Sequence, residues 1–101
     1  MLQLGLLPIK TVSVDTATFT LLVAGNDNRR YLEIINDSGA NIYIAYTDTA
    51  PTDVDSATNG MKLLLDGENN IWDATTGVPI TKVYVYQASG GSVNVKYSEG
   101  I

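Results

Sequence analysis

A chain of 101 residues has the length of one domain, and at that size folding buries roughly 60–70% of the surface an unfolded chain exposes, enough for one modest core. Eleven Asp and Glu against six Lys and Arg leave a net charge of −5, which argues against nucleic acid and anionic lipid as direct partners; only Arg29 and Arg30 stand together as a basic pair. Cysteine and histidine are both missing, which excludes disulfides, thiolate and zinc sites, cysteine nucleophiles and Ser-His-Asp triads, so no catalytic residue, metal or cofactor is expected.

The start, "MLQLGLLPIK", is briefly apolar but has no basic n-region and no small-residue cleavage site. It reads as an N-terminal arm or edge strand over residues 1–9, ahead of a β domain over 10–101. Leu2, Leu4, Leu6 and Leu7 would be poorly covered on a lone subunit, which makes them candidates for contact with a neighbour. No stretch approaches the ~20 apolar residues of a membrane span.

From there the period is two nearly everywhere. Val12 and Val14 alternate with Thr11, Ser13 and Asp15, the pattern of a half-buried strand. "TFTLLVAG", Thr18 to Gly25, reads as a second strand with Phe19, Leu21 and Val23 on one face. A turn rich in Gly, Asn and Asp follows. Leu32 and Ile34 then share one face, opposite Tyr31, Glu33 and Ile35, and Ile42, Ile44 and Tyr46 alternate with Tyr43 and Ala45. The "NDSGA" corner between these runs fits a hairpin loop. Residues 47–60 have the marks of an exposed loop. Met61 to Leu65 is a short apolar run, Asp66-Gly67 a turn and Ile71-Trp72 an isolated pair. The last segment reads as a second hairpin, with Val83 and Val85 opposite Tyr84 and Tyr86, a Gly90-Gly91 turn, and Val93, Val95 and Tyr97 returning. No long run of helical period and no internal repeat is visible. About eight antiparallel strands at short spacing indicate an all-β chain: one β-sandwich or jelly-roll-like domain.

Several constellations invite chemistry and have plainer readings. Asp53 and Asp55 have the spacing of an EF-hand start, but Thr58 stands where glycine is required and Leu64 where glutamate is, which leaves a looser oxygen-ligand site with Asp48 or a plain solvated loop. Asp66, Glu68 and Asp73 could pair as acid and base, yet each sits in turn-like sequence where a carboxylate caps its own backbone. Asn36-Asp37-Ser38 fits a glycosylation pattern and equally a simple turn. The tyrosines carry more. With the aliphatic faces forming the core, Tyr31, Tyr43, Tyr84 and Tyr86 point outward or under flanking loops. There they serve either as cross-strand aromatic pairs or as a contact surface, since tyrosine covers much area at low entropy cost. These tyrosines and Trp72 also suggest stacking of a carbohydrate.

The order of motifs resembles that of a group of small virion proteins of tailed bacteriophages. In that group an Arg-initiated strand ends in I-x-N-x-S, matched here by Arg30, Ile34 and Asn36. An I-Y-I strand follows, at Ile42, Tyr43 and Ile44. Next comes a G-x-x-L-x-x-G segment, at Gly60, Leu63 or Leu64, and Gly67. A terminal V-Y-x-x-A-x-x-G-x-V-x-V hairpin corresponds to Val83, Tyr84, Ala88, Val93 and Val95. The resemblance spans residues 29–97. It implies a non-enzymatic capsid decoration or cement protein, made in the host cytoplasm and bound to the virion surface. Its partner would be the major capsid protein, and its own state a homo-oligomer, a trimer for preference. The same group includes head-fibre and tail-associated components, so a carbohydrate- or receptor-binding module is the alternative.

Overall fold

The computed structural model describes residues 7–52 and 61–101. Eight strands carry the fold: β1 (Ile9–Val14), β2 (Thr20–Val23), β3 (Tyr31–Ile35), β4 (Ile42–Tyr46), β5 (Lys62–Leu64), β6 (Asn69–Trp72), β7 (Val83–Tyr86) and β8 (Val93–Gly100). They form two four-stranded antiparallel sheets, ordered β1-β8-β3-β6 and β2-β7-β4-β5, with no helix among the described residues. The first strand pairs with the eighth, the second with the seventh, the third with the sixth and the fourth with the fifth. This is the order of a jelly roll, and the all-β expectation of about eight antiparallel strands is met.

One aliphatic cluster joins the sheets. Val14, Leu32, Ile34 and Val95 come from the first sheet, and Leu22, Val23, Ile42, Ile44, Leu64, Val83 and Val85 from the second, all nearly or wholly buried. Complete burial of such a side chain stabilises by roughly 1.5–3 kcal/mol, so the period-two pattern decides which face of each strand turns inward. The pattern fails in β2. Its register slips between Leu21 and Val23, so Leu22 and Val23 both turn inward while Leu21 stays 44% exposed. Leu21 and Val23 are therefore not on one face, because a bulge inserts one residue between them.

Neither expected hairpin exists. β3 and β4 lie in different sheets, and so do β7 and β8, so both corners are arches that carry the chain over the end of the core. A buried amide fills each arch. Asn36 Nδ2 donates to Ala40 O (2.8 Å) and Leu64 O (3.0 Å), and its Oδ1 accepts from Ser38 Oγ (2.6 Å). Gln87 Nε2 donates to Gly91 O (2.7 Å) and Val14 O (3.1 Å), and its Oε1 accepts from the Ser89 N–H (2.7 Å) and Ser89 Oγ.

The likeness of the two arches is general. Asn36 and Gln87 lie 51 positions apart, and Val14 and Leu64 lie 50 apart. Advancing β1–β4 by four strands maps the first sheet onto the second, β1-β8-β3-β6 becoming β5-β4-β7-β2. The fold thus contains a four-strand repeat that the residue identities conceal.

Candidate contact surfaces

Because strand residues alternate between faces, the registers place every outward side chain. On the outer face of β1-β8-β3-β6, one row runs Ile9, Ser98, Glu33, Ile71 and the next Thr11, Lys96, Ile35, Asn69. Ile9 is 61% exposed and Ile71 49%. Tyr31 stands beside Gly100, and a Cβ on that glycine would meet Tyr31 Cβ at 3.2 Å and Leu7 Cδ1 at 3.4 Å. The missing side chain therefore lets Leu7 lie over the sheet next to Tyr31. Glu33 accepts from Tyr31 Oη (3.1 Å) and Asn69 Nδ2 (3.0 Å), while Lys96 pairs with Asp37 at 2.9 Å. Burial and the hydrogen bond to Glu33 raise the Tyr31 hydroxyl above its ordinary pKa.

The outer face of β2-β7-β4-β5 has another character. Leu21, Tyr84 and Ala45 form one row, and Tyr86, Tyr43 and Leu63 the next. Phe19 stacks on Tyr86 with centroids 4.9 Å apart, and Tyr43 lies 6.4 Å from Tyr86 on its other side. Phe19 and Tyr43 leave Tyr86 only 5% exposed, so it supports the surface from beneath, whereas Tyr43 and Tyr84 are half-buried. Leu21 and Leu63 border this aromatic ridge, with Leu65 just past the end of β5, each 44% exposed. No strand residue on this face carries a charge.

Tyr31 and Tyr43, expected on one face of a hairpin, thus look out from opposite sides of the sandwich. Trp72 faces inward, paired with buried Leu32. Its ring meets Tyr46 edge-on at 5.5 Å, and its Nε1–H donates to Tyr46 Oη at 2.9 Å, beside Asn70 Nδ2 at 2.5 Å. Leu2, Leu4 and Leu6 lie outside the described residues, as do Asp53 and Asp55.

The carboxylates considered for acid–base work hold turns. Asp66 Oδ1 accepts from the Gly39 N–H and Glu68 Oε1 from the Leu65 N–H. Asp73 accepts from the Thr75 hydroxyl and N–H, bonds that lower its pKa. Among the described residues no group of three or more acidic, His or Cys side chains could hold a metal.

The sequence concealed the exposed leucines for two reasons. In "MKLLLD" an unbroken apolar run hides which leucines alternate outward, and in β2 the bulge reverses the expected face. The signal for the neutral face was present in β4 and β7, where tyrosine and alanine alternate with Ile and Val. Comparisons with protein-family models, with curated proteins and with solved structures find no match to this chain.

Proposed function

We propose that this chain is a non-enzymatic structural protein of a tailed-phage particle, one that binds the outside of the capsid and stabilises it by bridging subunits. The observation that supports this reading is that apolar side chains stand partly or largely exposed on each outer side of the sandwich, interspersed with Glu33 and Lys96 on one side and without charge on the other. Leu7, Ile9, Tyr31 and Ile71 lie on one side, and Leu21, Tyr43, Leu63 and Tyr84 on the other. A bridging protein needs two surfaces that can be occupied together, and apolar patches rimmed by polar residues are common at protein contacts. The motif order supplies the particle, and the major capsid protein is the partner it implies. The virion surface is the destination, reached from the host cytoplasm.

The side bearing Leu7 and Tyr31 is the one assigned to the shell, because Leu7 packs over Gly100 beside Tyr31 there. Sedimentation of the purified protein with capsid shells assembled from the major capsid protein of its phage tests the reading. The wild type is expected to saturate the shells. Ile9→Asp together with Ile71→Asp removes the two most exposed apolar side chains of this face, one at each edge of its sheet, and should weaken binding. Failure of the wild type to sediment with shells would overturn the proposal.

A further inference from the structure

We infer that the sandwich is two copies of one four-strand unit joined in tandem, and that the inner frames of the two units are still exchangeable while their outer faces have diverged. Strand order alone does not carry this, because eight antiparallel strands wound in this way superpose half on half whatever their residues. The corners carry it. Asn36 and Gln87 each donate to the carbonyl four residues on, Ala40 O or Gly91 O, and to the end of a corresponding strand, Leu64 O or Val14 O. Each accepts from the serine two residues on, Ser38 Oγ or Ser89 Oγ.

The main chain repeats the same bond. The Gly67 N–H donates to Asn36 O at 2.6 Å, and the Ala17 N–H donates to Gln87 O at 2.7 Å. Both donors are left-handed, Gly67 with φ 91° and Ala17 with φ 55°. Ala17 is the only non-glycine with positive φ among the described residues, and it stands where the other unit has its glycine. A side chain makes that conformation costly, so alanine is not what a free choice of residue would place there. A closed sandwich needs apolar inner faces and polar corners. It does not need the same amide, serine and left-handed residue in the same bonds twice.

With the corners matched, residues 31–46 lie against residues 82–97 without a gap. Only Ser38 with Ser89, Gly39 with Gly90 and Tyr46 with Tyr97 are identical. Inward positions keep their kind: Ile34, Ile42 and Ile44 correspond to Val85, Val93 and Val95. Outward positions do not, since Glu33 corresponds to Tyr84, Tyr43 to Asn94 and Ala45 to Lys96. The backbones part at the corner glycine, which is left-handed at Gly39 and not at Gly90. Packing restrains the inside of a sandwich far more than its surface, so a common frame beneath unlike faces is what duplication followed by divergence leaves.

Exchanging the corners and unfolding in urea provides the test. One variant puts the second corner in the first position, with Asn36→Gln, Asp37→Ala and Ala40→Gly. The other does the reverse, with Gln87→Asn, Ala88→Asp and Gly91→Ala; a Cβ at Gly91 has nothing within 4 Å. Each should unfold in one transition, at a higher midpoint than Asn36→Ala or Gln87→Ala at the same corner. Ala17→Gly should raise the midpoint and Gly67→Ala should lower it, since both positions hold a left-handed residue in the same bond. Exchanged corners that fall as far as the alanine variants, or an Ala17→Gly that lowers the midpoint, would overturn the inference. None of these measurements involves a shell, so failure of the proposed function would leave it standing.

Discussion

Arg29 shows how much one side chain can hold. Its guanidinium is wholly buried and its forked donors are spent in several directions: Nε on Glu99 Oε2 (2.7 Å), Nη1 on Pro79 O (2.6 Å) and Thr81 O (3.0 Å), Nη2 on Ala24 O (2.5 Å). The loops before β3 and β7 and the end of β8 are tied through this group. Arg29→Ala removes one partner of a buried pair and frees three carbonyls, so unfolding in urea should show a loss of about 3–5 kcal/mol. Arg29→Lys should recover little, since an ammonium lacks the planar fork. The sequence could not disclose this role. Arg29 stood out only as half of a basic pair, and its partners are, apart from Ala24, distant in the chain and mostly carbonyls that every residue possesses. Tyr46 yields a pH prediction of definite sign. Burial raises its pKa, outweighing the hydrogen bonds from Trp72 and Asn70 that lower it. The native state then holds the proton more tightly than the unfolded chain. That contribution is complete below the unfolded value of about 10 and is lost as pH rises through the folded one. Urea midpoints should therefore fall above pH ~10, and less steeply in Tyr46→Phe. The same substitution should cost about 1–3 kcal/mol at neutral pH by leaving the Trp72 N–H without its acceptor.

At the scale of elements, the strands were legible and their partners were not. Alternation tells which side chains turn inward, and Leu32, Ile34, Ile42, Ile44, Val83 and Val85 all do. It does not tell whether two adjacent runs pair with each other or face each other across the core. Both solutions bury the same residues and both need a polar, glycine-bearing corner. What separates them here is the amide before each corner. A hairpin leaves such a group in solvent, whereas Asn36 and Gln87 are completely buried and bond strand ends that no local turn could bring near. Asn36→Ala and Gln87→Ala should each cost about 1–3 kcal/mol by leaving buried carbonyls without a donor. Asn36→Asp should cost at least as much, since a carboxylate cannot donate to Ala40 O and Leu64 O. The arches share no partners, so the double alanine variant should show the sum of the two effects within about 0.5 kcal/mol in chemical denaturation. A marked excess over the sum would mean that the arches communicate through the core.

For the whole molecule, the four-strand repeat has a consequence for cooperativity. Each ladder, β1 with β8, β2 with β7, β3 with β6 and β8, β4 with β5 and β7, joins the first half of the chain to the second. Neither half has a ladder of its own among the described residues. A half on its own would expose its aliphatic faces and every edge at once, without one sheet hydrogen bond to offset the ordering of its backbone. The contact surfaces depend on the same arrangement, since the β2-β7-β4-β5 face is built from β2 and β4 of one half and β5 and β7 of the other. Unfolding should therefore be a single transition. Trp72 is the only tryptophan and sits on β6 at the edge of one sheet, so its fluorescence follows that sheet, while far-ultraviolet circular dichroism averages over both. The two signals are expected to give one midpoint and one slope in urea. Peptides covering residues 1–52 and 61–101 should each be unstructured alone and regain the β signal when mixed. A half that folds unaided, or a fluorescence transition that precedes the loss of β structure, would show that the sheets have separate stability and that the surfaces they carry can be lost independently.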